Sequence, residues 1–203
     1  MIKRLLATIL VFSIAVIPTY AYDWSDIAYK LSKSTAMLTT WEGQVFCSAF
    51  SIDKERHYVI TAAHCVDWNE DGFLVDGVFP QVMFFDEALD VAVLYVYGMN
   101  RPELKPRTKL IKVGMEVGAF GFAPEDGLKA HFRAGNVSGI EFSENGLIWV
   151  LVDQSAIGGM SGGPVVDTDG KVIMVTQISD RVRHLGGRDM ESVYRATKEF
   201  WRD

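Results

Sequence analysis

The sequence predicts an all-β chain of sandwich or barrel architecture, closed by one α-helix at its C-terminal end. Three observations carry that expectation. Short runs rich in β-branched and aromatic residues recur along the chain between polar or glycine turns. They fall into two sets separated by a charged, proline-bearing connector. Only two stretches have the length and pattern of longer helices, one at each end of the 203 residues.

The first of these stretches has the form of a secretion signal. Met1–Arg4 carries Lys3 and Arg4, Leu5–Ile17 is a mostly apolar run of 13 residues, and Pro18-Thr19-Tyr20-Ala21 ends on a small residue. That run is shorter than the roughly 18 residues a spanning helix needs, and cleavage after Ala21 is expected to leave a mature chain of 182 residues, Tyr22–Asp203. No later apolar run is long enough to span a bilayer, so the mature protein is expected to be soluble, secreted or periplasmic. Losing two cations and no acid takes the formal charge from −6 to about −8. An acidic chain without a basic run argues against nucleic acid and anionic membranes as partners. With 49% hydrophobic residues and no low-complexity stretch, disordered and fibrous classes are excluded.

Taken in order, the first set of strands is expected at Thr35–Trp41, Val45–Ile52, Tyr58–Thr61, Val82–Phe85 and Val91–Tyr97. The connector Met99–Thr108 has two prolines and four charged residues, which suits an exposed crossing between β-units. The second set is expected at Glu116–Phe122, Phe132–Ile140, Leu147–Val152, Gly163–Asp167 and Val172–Ile178. Asp189 offers an N-cap for a helix over Met190–Trp201, where Val193, Ala196, Thr197, Phe200 and Trp201 share a face that would dock on the second unit. The expected division is thus 1–21 signal, 22–108 first β-unit and 109–203 second β-unit plus helix, together one domain. No internal repeat is visible.

Cys47 and Cys65 are the only cysteines, and in an oxidising compartment they are expected to pair. The bridge would close a loop of about 19 residues and contribute about 3 kcal/mol. Two buried thiols that never meet are the alternative. A zinc site with His64 fits less well, because these residues do not make a spaced four-ligand set.

Three segments carry chemistry. Thr61-Ala62-Ala63-His64-Cys65 sets a histidine after an apolar strand. Ala88-Leu89-Asp90-Val91-Ala92-Val93-Leu94 sets an acid at the mouth of another, and Gly158-Gly159-Met160-Ser161-Gly162-Gly163-Pro164 surrounds a serine with glycine. A serine hydroxyl is a weak nucleophile at neutral pH and needs a neutral imidazole to take its proton, which assigns His64 to Ser161. The imidazole needs a carboxylate on its other nitrogen to hold the tautomer and stabilise the cation, which assigns Asp90. Glycine lets the chain turn sharply and bring the amides of Gly159 and Ser161 to a substrate carbonyl as an oxyanion hole. Each segment alone has a bland reading as a strand end or tight turn. Their co-occurrence on a β-rich chain points to a hydrolytic triad that needs no cofactor.

These segments resemble the trypsin/chymotrypsin-like serine endopeptidases over most of the mature chain. Val117-Gly118-Ala119-Phe120-Gly121 and Ala134-Gly135-Asn136-Val137-Ser138 are similar to the bacterial branch of HtrA-type proteases and glutamyl endopeptidases. The resemblance implies two six-stranded antiparallel β-barrels, with His64 and Asp90 from the first and Ser161 from the second. It also places Cys47 as the partner of the cysteine after the catalytic histidine. Met160 stands where digestive members have an acid before the serine, and no Ile-Val-Gly-Gly segment follows the signal, so activation by an N-terminal ion pair is not expected. The chain stops at Asp203, with no PDZ module expected after the protease.

By the same resemblance the specificity pocket has Ser155 at its floor and Ala156, Ile157, Thr176, Gln177 and Ser179 in its walls. A floor without Asp disfavours Lys or Arg before the scissile bond, and Thr176 in place of histidine disfavours Glu. A neutral, small to medium apolar side chain is expected there. The alternative from another class is a non-catalytic binding protein with the protease fold, for which Met160 beside the serine is the support and a distorted oxyanion hole the consequence. An esterase is disfavoured, because its nucleophile elbow belongs to an alternating α/β chain with the order Ser, Asp, His.

Asp67–Gly72 matches half a calcium loop, but the twelfth position is Val78 rather than Glu, and a solvated acidic turn is expected. Asn136-Val137-Ser138 is a glycosylation sequon in an apparent strand and receives no role. His57, His131 and His184 are expected at the surface, and Trp24, Trp41, Trp68, Trp149 and Trp201 as core or rim aromatics.

Overall fold

The computed structural model describes residues 22–67, 72–123, 129–143, 146–155, 157–178 and 184–202. The first sheet is antiparallel and contains β1 Thr35–Thr39, β2 Val45–Asp53, β3 Tyr58–Thr61, β4 Leu74–Val75, β5 Gln81–Asp86 and β6 Val91–Tyr95. Its order, β4-β1-β2-β3-β6-β5, leaves β4 and β5 at open edges. The second contains β7 Glu116–Ala123, β8 Lys129–Phe142, β9 Ile148–Ser155, β10 Pro164–Asp167, β11 Val172–Val175, β12 Gln177–Ile178 and β13 His184–Arg188. Its order is β11-β10-β7-β8-β9-β13-β12. Because β11 and β12 are one stretch interrupted at Thr176, its two halves sit at opposite edges and close the sheet into a barrel of six chain segments. The expected two-barrel architecture is therefore present, with the first unit a half-barrel and the second nearly closed.

The expected strands are present where β-branched and aromatic residues cluster, their ends within three residues of expectation, while β4 and β13 fall outside the expected runs. β8 is the longest of the described strands, at 14 residues. Buried apolar residues from both sheets form one continuous core: Phe50, Ile52, Ile60, Val91 and Val93 from the first meet Phe120, Val166, Val172 and Val175 from the second. The connector is not the exposed crossing its charges suggest. Leu104 is fully buried, its N–H donates to Ser51 O at 2.9 Å, and Lys105 and Arg107 exchange backbone hydrogen bonds with Val172. One apolar residue among the charges is enough to tie the strap down.

Among the described residues, three α-helices accompany the sheets. α1, Ser25–Ser34, is not evident in the sequence, because its inner face is carried by little more than Ile27 and Leu31 and Trp24 at its N-cap makes no side-chain capping bond. It leans on the second unit, where the Trp24 ring lies 5.8 Å from that of Phe132. α2, Ala63–Asp67, carries His64. α3, Met190–Thr197, starts as expected, with the Asp189 carboxylate accepting from Ser192 N at 3.0 Å, but tightens into a 3-10 turn over Lys198–Phe200. Met190, Val193, Thr197 and Trp201 are its buried face. The chain end also reaches the first unit, since Arg56 donates to Glu199 O at 2.8 Å and Trp201 O at 2.9 Å. No helix among the described residues is long and apolar enough to cross a membrane.

Candidate active site

The serine turn is shaped by what surrounds its glycines. A Cβ on Gly162, whose φ is +80°, would stand 2.1 Å from Ser48 O and 2.2 Å from Thr61 Oγ1. One on Gly163 would stand 2.3 Å from Phe120 O. Only glycine lets the turn press this closely on β2, the end of β3 and β7. The turn therefore lies directly against Thr61 and Ala62, the residues that lead into His64. It is held there by Ser48 N, which donates to Ser161 O at 2.8 Å, and by Gly162 N, which donates to Thr176 O at 2.8 Å.

Met160 points away from this surface. Its side chain is completely buried among Val117, Ala119, Val152, Val165 and Ile173 of the second barrel. The turn is thus anchored by apolar packing of the residue next to the serine. Met160 N closes the turn on Ile157 O at 3.2 Å. Among the described residues, the N–H groups of Gly159 and Ser161 have no protein acceptor, which leaves both as donors to a bound group.

Asp90 grips His64 at two points. One carboxylate oxygen accepts from His64 N at 2.9 Å, and the other lies 2.8 Å from Nδ1. This orients the ring and commits Nδ1 to Asp90, so the base chemistry falls to Nε2. Asp90 reaches that position in a left-handed conformation, φ +50°, which Asp tolerates better than most residues. The conformation is held from the opposite barrel: Gln177 Nε2 donates to Leu89 O at 2.8 Å and to Asp90 O at 2.7 Å. An open cleft beside the pair is lined by Ala63, His64, Asp67, Phe85, Glu87 and Asp90. The disulfide Cys47–Cys65 ties α2 to β2. Sulfurs and a His64 ring nitrogen lie within 4.8 Å of one another, but with the sulfurs joined no thiolate is left to hold a metal.

The expected pocket residues divide. Ser155 is exposed at the end of β9, Ile157 packs partly on the second-barrel core, and Thr176 is buried at the break between β11 and β12. Gln177 is buried, with its amide committed to the Asp90 loop, so its side chain is a brace for Asp90 rather than a pocket wall. Ala156 and Ser179 lie outside the described residues, as do Trp68–Asp71 of the half calcium loop. His57 and His131 are half-buried rather than superficial, His57 Nδ1 lying 2.7 Å from Met99 O, and the His184 side chain lies outside the described residues. Trp201 is a core aromatic, Trp24 and Trp149 are half-buried, and Trp41 is half-exposed. Asn136 sits on β8, its side chain 3.3 Å from Asp153 Oδ2.

Sequence reasoning missed Ser48. Its signal was there, a polar residue inside a strand buried on both faces, and such residues must find hydrogen bonds.

The sequence matches the trypsin-like peptidase domain family over residues 47–174, which includes all three of His64, Asp90 and Ser161. The chain belongs to this family. As a trypsin-like peptidase it is a serine hydrolase acting on peptide or protein substrates. Among solved structures it is similar to the inactive form of a serine-to-alanine mutant of Rv3671c from M. tuberculosis H37Rv, with TM-score 0.71 and 18% identity over 91% of this chain and 97% of that one. It is also similar to the HtrA-type protease AlgW with a tripeptide, with TM-score 0.71 and 21% identity over 88% of this chain. A serine-to-alanine form of AlgW gives TM-score 0.72 at 22% identity. This chain spans 63% of the length of AlgW. At these identities the likeness is one of fold. A comparison with curated proteins finds no match.

Proposed function

We propose that this trypsin-like peptidase is a secreted or periplasmic endopeptidase that cleaves peptide bonds through an acyl-enzyme on Ser161. The observation that carries the reading is the double grip of Asp90 on His64, with the serine turn packed against the residues leading into that histidine. His64 Nε2 takes the Ser161 proton as Oγ attacks the carbonyl carbon. The resulting oxyanion is received by Gly159 N–H and Ser161 N–H. His64 then returns the proton to the leaving amine, and water repeats the sequence to release the acyl group. Asp90 stays ionised and holds the imidazolium.

Preference before the scissile bond is for a neutral, small to medium apolar residue. Ser155 at the floor position and Thr176 in place of histidine support this, since neither supplies a charge to pair with Lys, Arg or Glu. Secretion rests on the Met1–Ala21 pattern. The test is a peptide library digested with the mature chain, Tyr22–Asp203, with products mapped by mass spectrometry. Cleavage after Ala, Val or Leu that disappears in Ser161→Ala is expected. Cleavage confined to sites after Lys, Arg or Glu would reject the specificity, and no cleavage by folded protein would reject the function.

A further inference from the structure

Ser48 is completely buried and spends every hydrogen-bonding group on the serine turn or on the strands beside it. Its hydroxyl donates to Gly159 O at 2.8 Å and accepts from Phe122 N at 2.9 Å. Its N–H donates to Ser161 O at 2.8 Å, and its carbonyl accepts from Thr61 Oγ1 at 2.8 Å. One residue of the first unit thus touches the backbone of both residues whose amides face the oxyanion.

From this geometry we infer that the Ser48 hydroxyl is the positioning group of the oxyanion hole, fixing the Gly159 peptide so that its N–H faces substrate. The inference rests on the catalytic reading of Ser161 given above. Gly159 O belongs to the same peptide unit as Met160 N, which is bonded to Ile157 O. That unit is therefore held at both ends, by Ser48 and by the turn. Met160 is locked in the core, and a Cβ on Gly121 would already stand 2.9 Å from its Cα, so Ser161 N follows with little freedom. The preceding Gly158–Gly159 peptide is different. A Cβ on Gly158 would meet nothing within 4 Å, and Gly159, although buried, sits at φ +91° with no side chain of its own to hold it there. Among the described residues, the hydrogen bond that restrains Gly159 is the one from Ser48 on its far side. Without the hydroxyl, Gly159 O loses its partner in a buried place and Phe122 N loses its partner in a part-buried one, and Gly159 turns to find another.

The test compares wild type, Ser48→Ala, Ser48→Thr and a matched control, Leu104→Ala, which destabilises the connector away from the turn. kcat and KM are measured on one cleaved peptide, and the Gly159 amide is followed by 15N NMR. Ser48→Ala is expected to lower kcat about 10- to 100-fold, less than deleting an oxyanion donor outright, with KM within about twofold. The Gly159 resonance should move in Ser48→Ala and stay in place in Ser48→Thr and Leu104→Ala. A kcat in Ser48→Ala within about twofold of wild type, or an unmoved Gly159 resonance, would overturn the inference. If Ser48→Ala does not fold, Ser48→Thr and Ser48→Val decide in its place, being alike in volume and different in the hydroxyl. If wild type itself turns nothing over, the proposed function falls, and the Gly159 resonance alone then decides the role of Ser48.

Discussion

The side-chain amide of Gln177, on the second barrel, donates at 2.7 Å to the backbone carbonyl of Asp90, on the first. The orientation of His64 therefore depends on a residue of the opposite unit. Its amide oxygen has no partner among the described residues, so the Nε2 bonds are the ones the side chain contributes. Gln177→Ala leaves the Leu89 and Asp90 carbonyls without their donor and should cost about 1–3 kcal/mol in urea unfolding. It should also lower kcat/KM by about tenfold at 25 °C, equivalent to about 1.4 kcal/mol. Stability loss with unchanged kcat/KM would make Gln177 a purely structural brace.

Asp90 offers a separation of charge from backbone strain. Asn accepts the left-handed conformation as readily as Asp, so Asp90→Asn should fold with near wild-type stability while kcat falls by about 10³–10⁴, the scale of losing a triad carboxylate. Asp90→Ala should lose as much activity and, in addition, about 1–2 kcal/mol from forcing alanine to φ +50°. Denaturant melts of the two variants beside a kinetic assay check both halves.

Gly121 lies under the serine turn, where a Cβ would press on the Met160 backbone at 2.9 Å. Gly121→Ala should therefore lift Met160 and displace Ser161. The expected result is a loss of about 1–3 kcal/mol in stability and more than tenfold in kcat. Met160→Leu, which conserves volume in the same pocket, should keep most of both. Equal activity in Gly121→Ala and wild type would show that the turn is not anchored through Met160.

Asp53 ties acid stability to the C-terminal clamp. Burial pushes its carboxyl upward, but the Arg56 amide, the Arg56 guanidinium at 2.6 Å and the Glu55 amide outweigh it and leave the pKa lowered. A group with a depressed folded pKa stabilises above its unfolded value of about 3.9, and that stability is lost as pH falls through the folded pKa. Wild type should therefore lose stability below about pH 4 more steeply than Asp53→Asn, while Asp53→Asn is the weaker of the two at pH 6. Urea titrations at both ends of that range give the comparison.

Much of this was legible because it is local. β-branched runs such as Val91-Ala92-Val93-Leu94 can hardly be anything but buried strand, and the three chemical segments carry their spacing in the chain. What escaped depends on partners far away in sequence. β13 is hidden by Gly186 and Gly187, poor strand formers that are required because a Cβ on Gly187 would stand 2.0 Å from Val175 O. α1 is hidden because its stability comes from the surface it covers rather than from its caps. Gln177 read as a pocket wall, since only the approach of the two barrels shows that its amide is already engaged. Ser48 stood out as a polar residue in a buried strand, but its role did not, because its four partners come from the serine turn, β3 and β7.

The central claim is that Ser161 is an activated nucleophile served by His64 and Asp90. The most direct test is reaction of the mature chain with a fluorophosphonate, located by peptide mass spectrometry, in wild type, Ser161→Ala, His64→Ala and Asp90→Asn. One adduct per chain on Ser161, absent in Ser161→Ala and slowed at least about 10³-fold in the other two, is the predicted result. A well-folded wild type that takes no adduct, or one labelled as fast without His64 as with it, would contradict it.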